Sequence, residues 1–198
     1  SVGFLIGERI KKLKKQRIKA GDKIFLVKEI GIEGASIIAR ERYCQLKKSF
    51  SPRYIEMVKN ATFFPGISVF SEAKMLWKSF DIKYMHDPTE GGISTALCEM
   101  SEANNIGLLI YLEKLKFYPP IVKFCKIFNL DPLGIISSGC IIGIIGEKEE
   151  NKLLTFCRKR KIKIEIIGKV IDRQGVWYIK NGTICQLPTF TRDEINRL

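Results

Sequence analysis

The sequence predicts an α+β fold, a mixed or antiparallel sheet with helices on its faces. Three observations carry this expectation. Short apolar runs of strand length, 24–27 and 140–145, are interleaved with stretches whose apolar residues recur at helical spacing. The two kinds do not alternate strictly, as a doubly wound parallel sheet would require. Near the end, 176–180 and 183–187 flank Asn181-Gly182, the signature of a hairpin closed by a two-residue turn.

Taken in order, 2–6 is a short apolar strand, and Arg9 to Lys19 is the densest basic run of the protein. Lys19 to Asp22 reads as the turn before strand 24–27. A helix follows over 34–46, with Ala35, Ile38 and Ala39 on one face, completed by Arg42 or Tyr43. Residues 51–60 and 69–80 predict two more helices, broken by Thr62-Phe63-Phe64-Pro65-Gly66, with Trp77 and Phe80 read as core. Strand 82–84 then enters the turn 85–92, and Ile93, Ala96, Leu97 and Met100 mark the buried face of the next helix. Strand 106–111 is followed by helix 120–128, which Pro119 or Pro120 starts. The run 140–145 is the most continuous apolar segment and is expected at the sheet centre. Helix 147–160 closes on Arg158 to Lys161, cations that complement a helix C-terminus, before strand 162–167.

The 198 residues, 45% of them hydrophobic, fit one globular domain, occasionally two small ones. No apolar run approaches bilayer length and no signal-peptide order opens the chain, so a soluble cytoplasmic protein is expected. The six cysteines are widely separated without a Cys-x-x-Cys pair, which argues against a zinc site or a secreted disulfide framework. His86 is the single histidine, which excludes multi-histidine metal sites and leaves one ordinary candidate for proton transfer near neutral pH. The net charge of +13 favours contact with anions: nucleotide phosphates, RNA or an acidic protein surface. Lysine and isoleucine enrichment equally fits a heat-adapted or compositionally biased proteome.

The chemistry-bearing stretch is Met85-His86-Asp87-Pro88-Thr89-Glu90-Gly91-Gly92, a strand-to-helix turn. Pro88 holds Asp87 extended, Asp87 or Thr89 can cap the helix, and the glycines allow close approach. The first amides of a helix lack partners within it and its dipole adds positive charge there, so the turn fits a phosphate or developing oxyanion. The same residues also fit a capped helix whose glycines only permit a tight turn. Ser137-Ser138-Gly139 is a second small-residue turn able to admit a phosphate, or a loop tightened by its hydroxyls.

His-Asp-Pro-Thr-Glu-Gly-Gly followed by a helix carrying Glu99 resembles the turn before the central helix in the C-terminal domain of the AIR synthase-related superfamily, in the style of its HypE-like branch. Residues 21–27 with 31–41, and Leu130-Asp131-Pro132-Leu133 through Ser137-Ser138-Gly139 to Ile142, resemble two further segments of that branch in the same order. The resemblance implies an AIR synthase C-terminal-domain-like fold over 21–187. It implies that 1–20 is a strand and basic connector from an N-terminal domain outside this sequence, and that 188–198 is a C-terminal tail. It implies ATP and magnesium, most of their ligands lying in that N-terminal domain, and partnership with that domain or with a second copy in a homodimer. The full-length form is then expected to activate a small substrate or carrier group by phosphoryl transfer, with this chain alone inactive or very weak.

Carried over by position, Asp87 and His86 are the catalytic candidates. Thr89, Gly91, Gly92, Ser137, Ser138 and Gly139 are the phosphate or substrate contacts, and no metal ligands are assigned. HypE ends in a cysteine that carries its carbamoyl group, whereas this sequence ends at Leu198, thirteen positions beyond Cys185. That departure argues against hydrogenase cyanide chemistry and for a HypE-like paralogue of unknown substrate. The alternative is a non-catalytic basic module for RNA or an acidic protein, contacting it through 11–19 and 158–161.

Overall fold

The structure, a computed structural model, describes residues 17–180 and 182–198. The expected strand at 2–6 and most of the basic connector lie outside the described residues. Among the described residues, seven strands form one sheet: β1 (Lys23–Val27), β2 (Tyr84–His86), β3 (Gly107–Ile110), β4 (Ile141–Ile145), β5 (Ile164–Ile171), β6 (Gly175–Lys180) and β7 (Thr183–Gln186). Their order is β2-β4-β1-β5-β3-β6-β7. Every neighbouring pair is antiparallel except β3 with β6, so the sheet is mixed and the fold is α+β. The hairpin signal at Asn181-Gly182 corresponds to β6–β7, with Lys180 opposite Thr183.

The helices are α1 (Ile32–Glu41), α2 (Tyr43–Leu46), α3 (Pro52–Lys59), α4 (Phe70–Ser79), α5 (Gly92–Asn104), α6 (Pro119–Phe128) and α7 (Glu150–Lys159). Side chains alternate across a strand, and here the alternation sorts the core. Ile24 and Leu26 of β1, with Ile142 and Ile144 of β4, join Ile93, Leu97 and Met100 of α5 in one cluster. Phe25, Val27, Ile141 and Ile145 join Leu76 of α4 and Leu153 and Cys157 of α7 in another. A third cluster, built on Ile38, Ile55, Val58, Ile121 and Phe124, packs α1, α3 and α6 together.

Three expectations are corrected in position. Strand β4 is second from the edge and β5 is central. All five residues of β4 are nevertheless buried, because helices cover both its faces. The helix expected over 34–46 breaks at Arg42, whose φ of −118° and ψ of 28° are not helical. The strand before the central turn starts at Tyr84 and includes His86 as its last residue.

Register brings several strand ends to one edge of the sheet. His86 stands opposite Ile142, while Val27 stands opposite Ile141 on one side and Ile164 on the other. The segments that follow β1 and β2 and those that precede β4 and β5 therefore meet at this edge. No helix among the described residues is long and apolar enough to cross a membrane.

Candidate functional site

The central turn leaves β2 at His86 and enters α5 at Gly92, with Gly91 (φ 77°) and Gly92 (φ 67°) both left-handed. A carboxylate at Glu99, two helical turns into α5, reaches back to His86, with Nε2 to Oε2 at 2.8 Å. On the other side of the ring Nδ1 lies 4.0 Å from Asp87 Oδ1. The imidazole is partly exposed, and Asp87 and Glu99 project further into solvent, their side chains 64% and 57% exposed. A carboxylate on one ring nitrogen fixes which nitrogen carries the proton and leaves the other free to accept one. Thr89 and Glu90 are also exposed, so the rim of the turn is polar and acidic.

The glycines serve a different purpose from the rim. Both are buried. A methyl group on Gly92 would lie 2.5 Å from the Leu133 carbonyl oxygen and 2.6 Å from that of Ile135, so the turn packs directly on the backbone of the Pro132–Gly134 turn and its continuation. The Gly92 amide donates to Thr89 O at 3.1 Å. The Gly91 amide donates to the Asp193 carboxylate, Oδ2, at 2.8 Å. Asp193 also accepts from the amides of Ile136 and Ile195. An anion does sit at this turn, and it is a side chain of the same polypeptide, 102 residues further on. Burial pushes the Asp193 carboxyl above the ordinary aspartate value; the three amides oppose that rise and the charge of Glu90 adds to it.

The rest of 188–198 reinforces this contact. Pro188 O accepts from the Ser94 hydroxyl, Phe190 lies over Gly134, and Glu194 accepts from the Asp131 amide at 2.9 Å. Ile195 and Leu198 pack on the α1–α3–α6 cluster. The expected tail is thus packed against the domain along its length.

In the second small-residue turn, Ser137 is buried and its hydroxyl donates to Ile135 O at 2.7 Å. Gly139 (φ 110°) abuts Ile67, its added Cβ falling 3.2 Å from Ile67 Cα. Ser138 is only partly buried. Cys140 behind the turn is no nucleophile at neutral pH, because burial, with the Asp87 charge adding, pushes its thiol up to about 12. Burial likewise raises the Cys98 thiol beside Glu99 and Glu102. The structure therefore gathers His86, Asp87 and Thr89 on an accessible rim, and it engages Gly91, Gly92 and Ser137 in internal contacts. Among the described residues no group of three or more His, Cys, Asp or Glu is placed to hold a metal ion.

Sequence reasoning noted Glu99 without assigning it a partner and missed Asp193. The interval of thirteen residues from His86 to Glu99, crossing the strand end and two turns of helix, was the readable signal for the first. Nothing local marks the second.

An α+β domain presenting a histidine between two carboxylates on a strand-to-helix turn defines the class. Residues 19–179 match the model of the AIR synthase related protein, C-terminal domain, and the chain belongs to that family. It is 28% identical over 176 residues to a putative hydrogenase expression/formation protein of Methanocaldococcus jannaschii, covering 85% of this chain and 48% of that one. It is 24% identical over 159 residues to the carbamoyl dehydratase HypE of Cupriavidus necator, covering 78% and 41%. Among solved structures, Escherichia coli HypE matches with a TM-score of 0.74 at 19% identity, over 94% of this chain and 55% of that one. A HypE structure in complex with ATP matches at 0.62 and 17% identity, over 90% and 53%. The chain spans about half the length of the curated relatives it matches.

Proposed function

We propose that this HypE-like chain forms one wall of a site for ATP-dependent phosphoryl transfer to a small substrate or carrier group, with His86 and Asp87 as its catalytic residues. The observation that carries this reading is the His86–Glu99 contact of 2.8 Å beside the exposed Asp87, on the turn of a family-matched segment. ATP bound to a HypE of the same fold supports the nucleotide. With Nε2–H donated to Glu99, His86 Nδ1 takes the proton from the acceptor's hydroxyl, thiol or N–H as that atom attacks the terminal phosphorus, and ADP leaves. Asp87 orients the acceptor. Thr89 and Ser138 supply the accessible hydroxyls for phosphate oxygens, while Gly91, Gly92, Ser137 and Gly139 shape the wall behind them. The remaining walls come from an N-terminal domain of the kind the resemblance implies or from a second copy.

Calorimetry with a non-hydrolysable ATP analogue and magnesium tests this, on the 198-residue chain and on the chain joined to any coding region that precedes it. Binding in the joined form, weakened by Asp87→Ala and His86→Ala with the fold intact by circular dichroism, is the expected result. Failure of either form to bind nucleotide, or binding indifferent to both substitutions, overturns the reading.

A further inference from the structure

We propose that the cleft between the α7–β5 turn and the segment 65–75 is a binding site for a phosphorylated small molecule, with Lys161 and Arg160 as its anion contacts. It goes beyond the reading above and does not depend on it. The cleft has a volume of about 360 Å³, within the range of small-ligand sites. Its lining includes apolar Ile162 and Met75, the cations Lys28, Arg160, Lys161 and Lys163, and the carboxylates of Glu29 and Glu72.

Two of these cations are already neutralised. Lys28 pairs with Glu72 at 3.2 Å and Lys163 with Glu29 at 3.0 Å. Among the described residues, Arg160 and Lys161 have no carboxylate partner within ion-pair distance; Arg160 lies over the Phe156 ring at 3.7 Å, which leaves its edge N–H groups for a ligand. The cleft thus combines two uncompensated positive charges with apolar lining, the complement of a phosphate attached to an organic body.

The backbone supplies an independent argument. The described residues include four non-glycine residues with positive φ: Asn105, Asn129, Lys28 (66°) and Lys161 (57°). The asparagines follow α5 and α6, where a left-handed residue ends a helix and asparagine is a usual choice. Lys161 holds the equivalent place after α7, with the Ile162 amide closing onto Cys157 O at 2.9 Å, where glycine would carry no strain. Both left-handed lysines line this one cleft. A lysine kept where glycine is more stable points to a task for its ammonium.

The substitution Lys161→Gly separates the two roles. It removes the charge and relieves the backbone, so it raises Tm by about 2–4 °C while weakening pyrophosphate about tenfold or more. Titration of the full chain with pyrophosphate, followed by amide NMR shifts, should move Ile162 and Met75, and Arg160→Gln should weaken it as well. Lys126→Ala, on the outer surface of α6, should leave affinity unchanged. Parallel titrations with ADP and glycerol 3-phosphate assign the source: ADP tighter than pyrophosphate indicates a nucleotide, and glycerol 3-phosphate tighter than ADP indicates a phosphorylated substrate. No binding at millimolar pyrophosphate, unchanged affinity in Lys161→Gly, or a loss confined to His86→Ala overturns the inference. A failure of the ATP reading leaves the pyrophosphate result untouched, so the two fail separately.

Discussion

The glycine turn at 91–92 and the cleft beside Lys161 hold backbone in the same left-handed region for opposite reasons. At the turn the residues are glycines because the space where a side chain would be is already filled, by the Thr95 side chain at Gly91 and by the backbone of Leu133 and Ile135 at Gly92, and the turn's anion seat holds Asp193. At the cleft two of the left-handed residues, Lys28 and Lys161, are lysines, beside Gly66, and the cavity in front of them is open. A glycine-rich turn therefore records close packing here, whereas a strained lysine beside an open cavity records exposure to a ligand. The difference separates where an anion is already held from where one can be received.

The largest expected effect breaks the turn. Gly92→Ala adds left-handed strain and drives a Cβ into three backbone atoms of Leu133 and Ile135 between 2.5 and 2.8 Å away, none of which can swing aside as a side chain would. We expect a loss of about 3 kcal/mol or more. The matched control is Gly66→Ala on the cleft, which also has positive φ (89°) but no atom within 4 Å of an added Cβ. It should cost only the strain, about 1–2 kcal/mol. Urea denaturation of both variants measures the gap, and equal losses would remove packing as the reason for the glycine pair.

Next comes Asp193, whose removal leaves the buried Gly91 amide without its acceptor. Asp193→Ala should cost about 2–4 kcal/mol, read in the same denaturation experiment. Its pH dependence has a definite sign. Burial raises the folded-state pKa above the unfolded value, so the folded protein holds this proton more tightly. The cost of the buried charge is fully present above the raised value, and stability contributed by this group grows as pH falls from there toward the ordinary aspartate range. Asp193→Asn should abolish that increment. A wild-type minus Asp193→Asn difference that shrinks with acidification would contradict it.

Much of this arrangement was legible because it is periodic or local. The alternation Ile24, Phe25, Leu26, Val27 assigns each β1 residue to a face, and the structure sorts them into the two sheet-face clusters in that way. The Asn181-Gly182 signal sits between paired strands. The centrality of 140–145 was misread because an apolar run reports burial on both faces, which helices supply to a second-from-edge strand as well as to a middle one. The anion at the central turn was anticipated as a ligand because helix amides specify the charge of their partner and not its origin. A carboxylate 102 residues away leaves no trace in the spacing around Gly91. Lys161 was read as a cation complementing the end of α7, which is correct for its charge; its positive φ appears only once the helix is seen to end at Lys159.

The smallest effect sharpens the other half of the comparison, at Lys28. Its ammonium donates to Ser68 O at 2.6 Å and pairs with Glu72 at 3.2 Å, while its backbone is left-handed and its amide donates to Lys163 O. Lys28→Met keeps the strain and loses the polar contacts, which should cost about 1 kcal/mol for a partly exposed pair. Lys28→Gly loses the same contacts but relieves about 1–2 kcal/mol of left-handed strain, offset by the greater chain entropy glycine gives up on folding. The glycine variant should therefore be at least as stable as the methionine variant in chemical denaturation. If it is the less stable of the two, left-handed strain is not what distinguishes the cleft, and only the unpaired charge of Lys161 marks it as an anion contact.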